Sequence, residues 1–148
     1  MKKITTALAA AAAVAIMASC AASNVASTEK ALNGEWNVAA IDGQSITVPE
    51  GQDAPFIGFK TAEKQVYGST SCNRLTGGLN ADMKKKTIDF GVLGSTRMMC
   101  KDMALEDKLL NALGKVDKFD IEKGRGGDQL LLLDESGKAV VTLSRKAN

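Results

Sequence analysis

The chain has 148 residues, 45% hydrophobic and 24% charged, with 19 Lys+Arg against 17 Asp+Glu and no histidine. Length and composition suit one ordinary globular domain and exclude a disordered, collagen-like or coiled-coil chain. A net charge of +2 lacks the basic excess of a nucleic-acid binder, and the missing histidine removes Ser-His-Asp and Cys-His catalysis and the common zinc sites.

Lys2 and Lys3 precede an uncharged, Ala-rich stretch from Ile4 to Ser19 that runs into Cys20. A charged start, a short apolar run and small residues at its end describe a secretory signal peptide over residues 1–19. The run is too short and too rich in Ala for a spanning helix, which needs about 20 apolar residues. Met17-Ala18-Ser19-Cys20 resembles a bacterial lipobox, in which the cysteine sulfur receives the lipid. Cys20 is therefore the expected attachment point and the first residue after cleavage. Each buried acyl CH₂ contributes about 0.8 kcal/mol and stable anchoring takes two or more chains, so the protein would be anchored to a membrane without spanning it. Ala21 stands where an Asp would resemble an inner-membrane retention signal, which favours the outer membrane, facing the periplasm. Residues 20–31 are small and polar without a period of 2 or 3.6 and read as a lipidated, flexible tether.

The domain is expected over residues 32–146. Trp36, Val38, Ala40 and Ile41 form a strand-like run ended by the turn signal Asp42-Gly43, and Pro49 to Pro55 is a loop. Phe56–Lys60 and Gln65–Ser69 read as two strands around a polar turn. Thr70 to Gly78 reads as a loop and Asn80 to Lys86 as a turn with three lysines. Thr87–Phe90 and Val92–Met99 read as further strands. The one clear helix starts near Asp102 as N-cap, lines up Leu105, Leu109 and Leu113, and stops at Gly114. Its Glu106 and Asp107 are expected to face solvent near the N-terminus, where negative charge is favoured. Phe119 and Ile121 alternate with acids. Leu130–Leu133 and Ala139–Leu143 then read as paired strands, after the hairpin turn Gly124–Asp128 and around Asp134–Gly137. Seven to nine strands joined by short turns must be antiparallel. The expected fold class is α+β: a small single domain with a curved, barrel-like antiparallel sheet and one main helix.

Four segments in order carry a family resemblance. Gly68-Ser69-Thr70-Ser71-Cys72-Asn73-Arg74-Leu75-Thr76-Gly77-Gly78 resembles the G-S-x-x-C-N-x-x-x-G loop of the META domain family, which includes heat-shock lipoproteins of the HslJ type. Thr96-Arg97-Met98-Met99-Cys100 resembles its T-R-M-x-C signature, Leu32–Trp36 its L-x-G-x-W start, and Leu130, Leu132 and Gly137 its closing hairpin. Ser71 departs from the Gly frequent before the cysteine, and Leu75 from a frequent aromatic. The resemblance implies a small α+β fold, an envelope location and an association with stress, without a defined activity.

The remaining candidates are read from their chemistry. Cys72 and Cys100 are the two cysteines left once Cys20 takes lipid, and an even pair in an exported protein reads first as a disulfide. A reduced buried pair and a redox-active pair are the alternatives, the latter needing a thiolate favoured by Arg74, Arg97 or Lys101. Asn73, Arg74, Gly77 and Arg97 form a possible binding loop, since an arginine fork takes carboxylate or phosphate bidentately. The simpler roles are an Asn73 bonded to its own loop, a solvated Arg74 and an Arg97 in a structural ion pair. Met98, Met99 and Met103 near Cys100 could offer soft ligands to Cu(I), but core packing is the plainer use, and no metal or other cofactor is expected. Gly124–Asp128 precedes a strand, so it lacks the helix N-terminus of a phosphate loop. Lys84-Lys85-Lys86 reads as a solvated turn.

The expected protein is thus a monomeric, non-enzymatic, lipid-anchored envelope module. Its partners would be the membrane, through Cys20, and a protein or small molecule. The alternatives are an inhibitor of a lytic enzyme such as lysozyme and a thiol-redox protein using Cys72 and Cys100.

Overall fold

The structure, a computed structural model, describes residues 17–146, with side chains from residue 22 onward. Most of the expected leader, residues 1–19, and the side chain of Cys20 lie outside the described residues. In chain order the elements are α1 (Met17–Leu32), β1 (Gly34–Ile41), β2 (Gln44–Ser45), β3 (Phe56–Lys60), β4 (Gln65–Ser69), β5 (Arg74–Gly78), β6 (Asn80–Asp82), β7 (Thr87–Asp89), β8 (Gly94–Ser95), α2 (Ala104–Leu113), β9 (Lys118–Glu122), β10 (Gln129–Leu133) and β11 (Ala139–Arg145).

The strands form one sheet in the order β6-β7-β9-β10-β11-β1-β3-β4-β5-β8, with β2 beside β1. Every pairing is antiparallel where two or more residues define it. β5 and β6 sit near opposite ends of this order, yet only the buried Leu79 separates them in sequence. The sheet must therefore curl until its ends approach at that residue, whose N–H donates to Lys64 O at 2.9 Å. This is the expected curved, barrel-like α+β domain. Alternation drives it: Trp36 and Val38 on β1, Leu130 and Leu132 on β10, and Val141 and Leu143 on β11 all point inward and are buried. α2 lies against β1 and β11 and sends Leu105, Leu109, Ala112 and Leu113 into the same core.

The chain departs from expectation in five places. Residues 20–31 are not a flexible tether: α1 runs through them. Their Ala content favours helix without requiring an apolar stripe. Ser27 and Thr28 hydroxyls donate back to Asn24 O at 2.9 Å each. The helix end is tied to the domain, because the Trp36 indole N–H donates to Leu32 O at 2.9 Å and the Arg145 guanidinium donates to Ala31 O and Asn33 O. That guanidinium lies 3.8 Å from the Trp36 ring centroid, and its burial lowers the Arg145 pKa.

Arg74–Gly78 is a strand where a loop was expected, and Asn80–Asp82 is a strand where a turn was. Two adjacent glycines mask β5 in the sequence, but the sheet curl brings it between β4 and β8. Val92–Met99, expected as a strand, contributes only the two residues of β8. The helix expected from Asp102 begins at Ala104 with Met103 as N-cap; Asp102 Oδ1 still accepts the Ala104 N–H at 2.9 Å.

Candidate functional site

The cysteine-asparagine loop between β4 and β5, the segment 96–101 and the first turn of α2 meet at one place. Asn73 is 2% exposed. Its carboxamide holds the opposing backbone in both directions: Nδ2 donates to Met98 O at 3.1 Å, and Oδ1 accepts the Met98 N–H at 2.7 Å. Oδ1 also accepts the Thr96 hydroxyl at 2.9 Å, and that hydroxyl accepts the Arg74 N–H at 3.0 Å. Nδ2 further donates to both oxygens of the Glu106 carboxylate at 3.0 Å.

Glu106 is 5% exposed, so it does not face solvent as expected. Thr70 explains why: its hydroxyl donates to Glu106 Oε2 at 2.7 Å and accepts the Asn73 N–H at 3.1 Å. Glu106 also stands in the first turn of α2, where the helix dipole favours a negative charge. Among the described residues no buried side-chain nitrogen or oxygen lacks a partner, so this is a satisfied network. Such a network fixes geometry; it leaves Asn73 no free donor or acceptor with which to recognise a ligand. Asp107, the other expected surface acid, is exposed.

Cys72 and Cys100 close the same joint by a disulfide with Cα atoms 5.9 Å apart. Both thiols are consumed in the bond, which leaves the reduced-pair reading without support. Ser71, beside it, has φ +89°, the left-handed region that explains why glycine suits this position. Its hydroxyl bonds Gln52 Oε1 at 3.1 Å, and Gln52 Nε2 donates to Asp102 O at 2.8 Å, which ties the Pro49–Pro55 loop to the joint. Gly77 is a packing position, not a contact: a Cβ there would stand 2.7 Å from Leu93 Cδ2.

The outward side of the joint is different in kind. Arg74 and Arg97 are exposed, as is Lys101, and none of the three forms an ion pair among the described residues. The structural ion pair expected of Arg97 is therefore not formed. Met98 is 60% and Met99 89% exposed; with Val92 they are the exposed large hydrophobic residues among the described ones. They do not pack the core, contrary to the expectation for this cluster. Met103 is half-buried, its sulfur accepting the Cys100 N–H at 3.4 Å. With both cysteines oxidised the methionines have no thiolate beside them, and among the described residues no group of three or more Cys, Asp or Glu could hold a metal ion.

A second charged cluster lies on the sheet. Glu35 accepts Lys146 Nζ at 2.6 Å and the Tyr67 hydroxyl at 3.2 Å. The Lys146 hydrogen bond lowers the Glu35 pKa, while burial, then the nearby Glu35 charge, raises that of Tyr67. This pins Lys146 to β1.

The META domain family model matches residues 28–147. No curated protein matches the chain by sequence. Among solved structures, an NMR structure of a protein from Burkholderia xenovorans is 24% identical, with both chains covered in full and a TM-score of 0.64. A DUF4847 family protein from Bacteroides vulgatus is 16% identical, with 79% of this chain and 95% of that one covered and a TM-score of 0.55. These likenesses show the shared fold.

Proposed function

Because the chain belongs to the META domain family, we propose that it is a lipid-anchored cell-envelope protein with a non-enzymatic binding role. Its contact surface is the segment 97–101 together with Arg74. One observation carries the reading. Thr70 and Asn73 of the loop motif, with Glu106 of α2, spend their bonding on each other, on the Thr96 hydroxyl and on the Met98 backbone, whereas Arg74, Arg97, Met98 and Met99 are held outward and unpaired. The buried half of the motif is a frame, and the exposed half is what it presents. A backbone fixed before binding lowers the ordering cost of association.

The anchor follows from the lipobox-like Cys20, and the outer membrane, facing the periplasm, from Ala21. A role in envelope stress follows from the family alone. Two measurements test the reading on the native protein. The intact mass of membrane-extracted protein is expected to show acylation that Cys20→Ser abolishes together with membrane retention. A photo-crosslinking residue at position 97 is expected to give adducts in cells that the same residue at position 125 does not. Unmodified Cys20 would remove the anchor, and equal labelling at 97 and 125 would remove the contact surface.

A further inference from the structure

We propose that the Arg97–Lys101 segment docks on an anionic phospholipid surface, with Met98 and Met99 entering the headgroup region. The proposal rests on reading this segment as the contact surface and does not depend on acylation of Cys20.

Five observations favour lipid. The apolar tips are two adjacent, unbranched, flexible side chains, 60% and 89% exposed. Cations flank them on both sides, Arg97 before and Lys101 after, and Arg74 is close at hand because its carbonyl accepts the Thr96 N–H at 3.1 Å. None of these cations is spent in an ion pair among the described residues. No carboxylate occurs from residue 90 to residue 101, and the next one, Asp102, turns its Oδ1 back onto the Ala104 N–H at 2.9 Å. Finally, the two methionines cannot fold back, since Asn73 grips the Met98 backbone from both sides and the disulfide fixes Cys100. Long cationic side chains that keep their charge at the phosphates while neighbouring apolar groups sink a few ångströms deeper are what an interfacial contact requires. An acidic protein groove could use the same charges and is the competing outcome.

The experiment uses the chain from residue 20 carrying Cys20→Ser, so that neither leader nor acyl chain binds the vesicles. It is sedimented with vesicles of equal parts phosphatidylglycerol and phosphatidylethanolamine, and with vesicles of phosphatidylcholine alone. Binding is expected to the anionic vesicles only and to weaken with salt. Arg97→Gln with Lys101→Gln is expected to reduce partitioning about 25-fold, from the usual effect of a cation near an anionic surface. Met98→Gln with Met99→Gln is expected to reduce it about tenfold. All four side chains are exposed, so the variants are expected to melt with the parent; a pair that does not is replaced by its single substitutions. Equal binding to both vesicle types overturns the proposal, as does binding that neither pair of substitutions alters. If vesicles are ignored while position 97 still crosslinks to a protein in cells, the lipid surface is refuted and the contact-surface reading stands. If neither occurs, both fall.

Discussion

Asn73→Ala tests whether the buried network is what holds the joint. The substitution removes a donor to Met98 O, a donor to the Glu106 carboxylate, and an acceptor for both the Met98 N–H and the Thr96 hydroxyl. A neutral hydrogen bond contributes about 0.5–1.5 kcal/mol and one to a charged group about 1.5–3 kcal/mol. Glu106 keeps Thr70, so its desolvation is only partly uncovered. The expected loss is about 3–5 kcal/mol, a large share of the roughly 5–15 kcal/mol by which a domain is stable. Urea unfolding of the oxidised protein is expected to show a lower midpoint with an unchanged slope. Arg74→Ala, one residue away and exposed, is expected to cost under about 0.5 kcal/mol. Asn73→Asp adds a discriminating sign. It sets a second carboxylate against Glu106, so the folded pair binds a proton at a pH where the unfolded chain does not, and stability should rise as pH falls toward the ordinary carboxylate range. An Asn73→Ala loss below about 1 kcal/mol, or an Arg74→Ala loss as large as that of Asn73→Ala, would refute the frame.

Reducing the Cys72–Cys100 bond, whose partners are 28 positions apart, is expected to cost about 3–4 kcal/mol on the chain-entropy account, read from urea midpoints with and without reductant. Glu35 has its pKa lowered by Lys146, so its contribution is present above the ordinary value near 4.5 and is lost as pH falls through the lower folded value. Carboxyl NMR titration is expected to place Glu35 below that ordinary value, and Lys146→Met to move it back up. Gly68→Ala would put a Cβ 2.1 Å from the Phe56 carbonyl oxygen, a backbone atom that cannot step aside, so a loss of about 3 kcal/mol or more in melting experiments is expected.

The strands that were legible are those whose physics is local. Phe56–Lys60 and Gln65–Ser69 form β3 and β4 as expected, because each carries a β-rich run and the turn between them is polar. The core leucines of α2 follow from their spacing alone. What was not legible depends on partners far off in sequence. Glu106 looks like a solvated helix acid until Thr70, 36 positions earlier, and Asn73, 33 positions earlier, are brought to it. A sequence signal did exist: an acid beside the buried-face Leu105 and Leu109 needs a partner, and a polar Thr-x-x-Asn loop was available to supply one. Asn73 and Arg74 are adjacent in the loop motif, but Asn73 lies in the bend before β5 and is buried while Arg74 opens the strand and is exposed, so the structure separates them into frame and surface. α1 carries no periodic signal, because its Ala, Ser and Thr residues permit a helix without giving it an apolar face.

The position of β1 between β11 and β3 has a consequence for timing. The strand that opens the domain is paired on one side by the strand that closes it, and Glu35 meets Lys146 across 111 positions. Trp36 is roofed by Arg145, so the largest core side chain is not covered until β11 is in place. Long-range pairing of this kind folds slowly, because the cost of closing the loop precedes the gain. The core therefore cannot be finished before β11 has been made. Until β11 arrives, β1 keeps one edge without its partner strand and Trp36 without its roof.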